Sequence, residues 1–281
     1  MVDVAVLITV GGEHVANFFS GQQSLEEIVK TALIWFVLCL ASIEASQAAD
    51  QNMAWHTVKT GFRSKYLGSS GGIAYKWPIY VNELIIGYKD WYGGIWNSTG
   101  LGNTKYGQTY GDEFDFYGGW AHTYDRIKLD ISATYWAIAT LDETGDDLWV
   151  FEPEISFPKC PFAQPYIRGR YYGQVGSQSA KPGFFWFAGL RKGMLLGKGA
   201  ADRSNVLNLQ ASTAYAAGAL RDSTGFLYGR LTISLDAPLS KYWTVNPTII
   251  YQVAAPGQLS DPNGFVKGNQ FVYSISLVCK Y

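Results

Sequence analysis

The chain has 281 residues, of which 16% are aromatic and only 16% charged, with 31 glycines and a formal net charge of -1. So many Trp, Tyr and Phe side chains exclude a disordered chain, which could not keep them solvated. The longest nearly apolar run, Thr31 to Ile43, is shorter than the ~20 residues of a spanning helix. A mean hydropathy of -0.02 with so little charge, where ordinary soluble domains carry roughly 25%, implies an all-β chain whose apolar residues are spread by alternation.

The N-terminal region reads as a leader. Lys30 precedes the apolar run, and Ser46 and Ala48 stand at -3 and -1 of a small-residue cleavage site. Residues 1–48 are expected to be a leader with a signal peptide, and translation is expected to start near Val29, because Glu13, Glu26 and Glu27 do not suit a signal sequence. Leu38 before Cys39 is not the small residue of a lipoprotein site. Residues 49–281 are then one domain. Removing residues 1–48 leaves 18 acidic and 21 basic residues, a net of +3, too mild and dispersed for a nucleic-acid footprint.

From residue 54 the dominant signal has period two, so successive side chains fall on opposite faces of a strand. In 126–135, Arg126, Lys128, Asp130, Ser132 and Thr134 alternate with Ile127, Leu129, Ile131, Ala133 and Tyr135. The pattern predicts twelve strands near 54–66, 78–88, 91–98, 112–122, 125–137, 147–157, 164–174, 182–195, 204–217, 224–236, 242–254 and 269–281. Their connections alternate between tight joints and longer stretches rich in Gly, Ser, Asn and Asp. An even strand number with that asymmetry describes an antiparallel transmembrane β-barrel of an outer membrane, with an apolar exterior and a polar lumen. Strands of ten or more residues exceed the usual five or six of a sandwich, and Trp91, Trp149, Trp243 and Tyr281 fall near strand ends, where interfacial aromatics belong.

One stretch carries a family resemblance. Gly61, Ser64, Tyr66 and Gly68, then Gly71, Gly72, Tyr75 and Pro78, and finally Tyr92, Gly94, Trp96 and Ser98 resemble the opening of the TorF-type outer-membrane porin family. Phe114, Gly119 and Trp120 are similar to its fourth strand more loosely. Where that family has an Arg-Gly pair, this chain has Leu67, Gly68 and Ser69. The resemblance implies a barrel, an outer-membrane location and passage of small solutes.

A charge on the lipid face near the midplane costs roughly 2–4 kcal/mol, so charged residues on the strands belong in the lumen. The expected pore lining is Arg63 and Lys65 (with Lys59) on strand one, Glu113 and Asp115 on strand four, and Arg126, Lys128 and Asp130 on strand five. Glu152 and Glu154 follow on strand six, Arg168 and Arg170 on seven, Arg191 on eight, and Arg230 and Asp236 on ten. Phe271, Tyr273 and the terminal Tyr281 form an apolar face that resembles an assembly signal read by barrel-assembly machinery. His56 and His122 fall at the periplasmic end, away from the leaflet in which a lipid hydrolase would work, and no nucleophile elbow or phosphate loop is present. No catalytic residue, metal ligand or cofactor is expected. Cys160 and Cys279 are expected to be free thiols.

The expected function is a channel for small solutes, with outer-membrane lipids and the assembly machinery as partners and no nucleic acid. Two rivals stand beside it: a barrel enzyme acting on lipids, and a secreted or periplasmic β-sandwich that binds a ligand.

Overall fold

The computed structural model describes residues 9–10, 13–14, 54–68, 71–102, 113–138, 147–174, 182–199, 202–218, 224–255 and 268–281. The leader expected over 1–48 lies outside these residues, apart from a two-residue ladder pairing Thr9–Val10 with Glu13–His14.

The alternating segments become twelve long strands. They are β1 Ala54–Arg63, β2 Ile79–Tyr88, β3 Trp91–Gly100, β4 Glu113–Tyr124, β5 Ile127–Ile138 and β6 Leu148–Ser156. The second half comprises β7 Gln164–Gln174, β8 Gly183–Lys198, β9 Ser204–Ala217, β10 Gly225–Pro238, β11 Trp243–Ala254 and β12 Gln270–Lys280. Each strand pairs antiparallel with its neighbours in sequence, and β12 pairs with β1, so the sheet closes on itself. Closure leaves no strand edge, which is the condition for strands to cross a bilayer.

The short connections at 89–90, 125–126, 157–163, 199–203 and 239–242 share one end with both ends of the barrel domain. Lys89 and Asp125 have positive φ (53° and 45°), the conformation two-residue hairpin turns use to match the strand twist. The joint expected at 196–203 is shorter than the sequence suggested. β8 runs on to Lys198 through a bulge between Leu195 and Lys198, and Gly199 N–H donates to the Arg203 carbonyl at 2.6 Å.

Cross-strand register assigns the faces, because directly opposed residues point the same way. One face runs through Ile131 opposite Trp120, Ile155 opposite Ile167, Trp186 opposite Tyr215, and Ile275 opposite Phe62. Along it Ile86, Phe226, Ile249 and Ile275 are exposed. An apolar surface of that extent needs an apolar solvent, so this is the lipid face. The other face runs through Lys59 opposite Glu83, Asp130 opposite Glu154, Glu154 opposite Arg168, and Arg230 opposite Gln252.

The interior is not uniformly polar, in contrast to the expectation from alternation. Toward the long connections, residues of β5 to β10 pack into an apolar cluster of Leu148, Val150, Tyr172, Phe185, Ala214, Ala216, Leu227 and Tyr228, with Trp136 and Phe187 against it. Across from it lies a smaller cluster of Tyr75, Ile79 and Val81, flanked by Tyr66 and Trp96. Tyr66–Leu67 and Ile73–Tyr75 form a two-stranded ribbon within the β1–β2 connection. From β5 to β10 the charged interior therefore occupies the middle and the short-turn half of the barrel, whereas Arg63, Glu113 and Asp115 stand at the long-connection end of β1 and β4.

Candidate pore lining

The most connected interior group is on β6, β7 and β8. Glu154 accepts from Arg168 (Nε 2.9 Å, Nη2 2.7 Å) and from Arg191 (Nη1 2.6 Å, Nη2 2.9 Å). Glu152 accepts from Arg170, with Nε and Nη2 at 2.7 and 2.6 Å from the same oxygen. Arg170 also donates to the Tyr172 hydroxyl at 3.2 Å and lies 5.5 Å from the ring centres of both Trp136 and Phe187. Arg191 stacks on Tyr166 at 3.8 Å. Antiparallel pairing creates this ladder, since it brings Glu154 directly opposite Arg168 on one face.

A second group links β2, β3, β4 and β5. Tyr117 donates to Glu83 at 2.9 Å, and Tyr92 donates to Asp130 at 2.6 Å, with Lys128 Nζ 3.2 Å from the Asp130 carboxylate. Glycine makes both contacts possible. A Cβ on Gly94 would lie 2.5 Å from the Tyr117 ring, and one on Gly119 would lie 2.5 Å from the Tyr92 ring. Each phenol therefore lies across a neighbouring glycine to reach its carboxylate. On β9 to β11, Asp236 accepts from Asn208 at 3.0 Å and from Asn246 at 2.6 Å, while Arg230 donates twice to Gln252 Oε1 at 3.1 and 2.6 Å.

The remaining charged positions are distributed as follows. Arg63 lies inward at the end of β1, interacting electrostatically with Arg230 and Glu83, and its Nε has no hydrogen-bond partner. Lys65 lies just beyond β1, with Nζ 3.4 Å from Gln270 Oε1. Glu113 and Asp115 are adjacent inward positions at the start of β4, opposite Ser98 and Trp96 of β3, and the Glu113 carboxylate lies beside the Tyr66 hydroxyl. Arg126 differs from the rest. It occupies the tight β4–β5 turn, its side chain is 83% exposed, and it sits outside the lumen beside Asp125. Parity alone placed it inward, but a turn residue has no wall on which to keep that parity.

The sequence reading missed Glu83, Tyr92, Tyr117, Asn208, Asn246 and Gln252. Glu83 was visible as the lone charge in the otherwise uncharged Ile79–Tyr88 strand. The tyrosines were not, since a tyrosine suits either face of a membrane barrel.

At the short-turn end, the His56 ring stacks on Tyr281 (5.4 Å) and Tyr281 on Tyr242 (4.7 Å). His122 Nδ1 lies 2.8 Å from Asp90 Oδ2, and its ring packs against Trp120 and Tyr124. Phe271 and Tyr273 are exposed on the outward face of β12. Cys160 and Cys279 are free thiols.

No protein-family model matches the sequence, and no curated protein matches it. Solved structures do. The chain is similar to the NanC porin (TM-score 0.51, 12% identity, covering 80% of this chain and all of that one). It also aligns with the KdgM porin (TM-score 0.48, 7% identity, covering 80% of this chain and 99% of that one). An outer-membrane channel from Pseudomonas putida F1 aligns at TM-score 0.45 with 10% identity, covering 82% of this chain and 96% of that one. The closed ring of twelve strands, the apolar exterior and the overlay on the NanC porin establish one fold, the antiparallel β-barrel of outer-membrane proteins.

Proposed function

We propose that this chain is a porin-type channel that passes small solutes across a bacterial outer membrane and performs no chemistry on them. The observation that carries this reading is the ionic lining. Side chains of Glu152, Glu154, Arg168, Arg170 and Arg191 meet inside a closed barrel whose opposite face is apolar. A charged lining inside an apolar shell is the arrangement that lets hydrated solutes cross lipid and biases which ions do so. The resemblance of residues 61–98 to TorF-type porins supports the same reading. So does the solved structure it overlays at TM-score 0.51, described as a porin. Surrounding lipid is implied by the exterior, and barrel-assembly machinery is the partner that the Phe271, Tyr273 and Tyr281 face would engage.

The test is incorporation of the purified, detergent-extracted barrel into a planar lipid bilayer. Stepwise conductance is expected, together with a gel mobility that changes on boiling. A correctly assembled barrel whose traces match bare lipid, with its internal ribbon intact and with it shortened, would refute the channel reading.

A further inference from the structure

The connection between β1 and β2 does not simply project outward from the barrel. Its ribbon, Tyr66–Leu67 against Ile73–Tyr75, is closed by Gly68 N–H donating to the Gly72 carbonyl at 2.9 Å. On one side Tyr66 packs on Trp96 of β3 (5.9 Å between ring centres), and its hydroxyl lies beside the Glu113 carboxylate of β4. On the other side Gln252 of β11 donates from Nε2 to the Gly71 carbonyl at 2.6 Å, and Gly71 lies against the Tyr228 ring of β10. Gly71 has a φ of +82°, and a Cβ there would fall 2.3 Å from that ring. Only glycine allows so close an approach.

Strands β4 and β10 are six apart in a ring of twelve, so they face each other across the bore. The ribbon touches both. Trp96, Glu113, Tyr228 and Gln252 are all inward positions by register, so these contacts are made inside the lumen. The apolar cluster around Tyr172 and Phe185 narrows the same level from β5 to β10.

We propose that this ribbon is the size-selective barrier of the pore, spanning the bore and held by two latches, Tyr66 to Glu113 and Gln252 to the Gly71 carbonyl. The inference rests on the channel reading above and specifies it. The solutes that pass are those small enough for the gap beside the ribbon, and the exclusion limit is set by a connection rather than by the barrel wall.

Two variants test it in planar bilayers, with polyethylene glycols of graded size as the probe of the bore. In the first, residues 67–74 are replaced by a short Gly-Ser link. In the second, Tyr66→Phe and Gln252→Leu are combined at full length. Protein whose gel mobility changes on boiling is used throughout, so only assembled barrels are measured. The shortened variant is expected to raise conductance about two-fold or more and to admit larger glycols, with the double substitution moving both in the same direction. If the shortened variant does not assemble, the double substitution decides by itself. Wild-type conductance and wild-type size limit in the assembled variants would overturn the proposal. A silent wild type that conducts once the ribbon is shortened would support it. Silence in every form would instead remove the channel reading on which it rests.

Discussion

Arg170 and Glu152 meet inside the barrel with two guanidinium nitrogens, Nε and Nη2, at 2.7 and 2.6 Å from one carboxylate oxygen. Both side chains are only 16% exposed, so neither charge is fully hydrated. Removing one partner strands the other, and the cost of leaving a buried charge unpaired is about 3 kcal/mol or more. Glu152→Gln is therefore expected to lower the urea midpoint of the assembled barrel clearly. Removing the charge of the exposed Asp125, which pairs with Lys159 across the short-turn end, should change it little. Equal effects from the two substitutions would show that the interior pair is as well hydrated as the surface one.

Face assignment is testable on β5. This strand begins at Ile127, so Leu129 lies near the short-turn boundary, whereas Ile131 is deeper and faces outward opposite Trp120. Ile131→Arg is expected to cost roughly 2–4 kcal/mol, because lipid cannot solvate the guanidinium, and Leu129→Arg should cost less. Lys128→Leu, on the inward face, should leave assembly intact. The readout is the fraction of protein showing heat-modified gel mobility. An inert Ile131→Arg with a damaging Lys128→Leu would reverse the face assignment.

Selectivity should be weak in the wild type. Acidic and basic groups are interleaved along the lumen, with Glu83 opposite Lys59, Asp130 beside Lys128, and Glu154 between Arg168 and Arg191. Reversal potentials in a salt gradient are expected near zero. Glu154→Gln would release two guanidinium groups from their shared carboxylate and move the reversal potential toward anion preference. Movement toward cation preference would contradict the position of these residues in the conducting path.

Tyr281 closes the wall as well as the chain. Its N–H donates to the His56 carbonyl at 3.1 Å, and its carbonyl accepts from His56 N–H at 3.2 Å, adding a final rung where β12 meets β1. Its ring lies between those of His56 and Tyr242. Tyr281→Asp would put a charge into this aromatic stack at the interface, and the amount of assembled protein in the envelope is expected to fall several-fold. Tyr281→Phe keeps the ring and should restore most of it. Normal abundance of Tyr281→Asp would show that the last rung and its ring are dispensable for insertion.

Alternation by itself determined the strands, their approximate bounds and their faces, since a period of two leaves each strand only two ways to point. The sequence placed β5 at 125–137, and the strand is Ile127–Ile138. Glu113, Asp115, Lys128, Asp130, Glu152, Glu154, Arg168, Arg170, Arg191, Arg230 and Asp236 lie on the inward face by the same parity. Parity failed at Arg126, where a turn interrupts the wall, and at the end of β8, where a bulge carries the strand past its expected stop. Only the closed barrel decided which charges pair, because the Glu154–Arg191 contact joins residues 37 apart on strands that are not adjacent. It also decided that the β5 to β10 side of the lumen is apolar toward the long connections and that the ribbon after β1 folds inward. The Gln252–Gly71 contact spans 181 residues, and no local pattern can encode a bond whose two ends are brought together only by closing the ring.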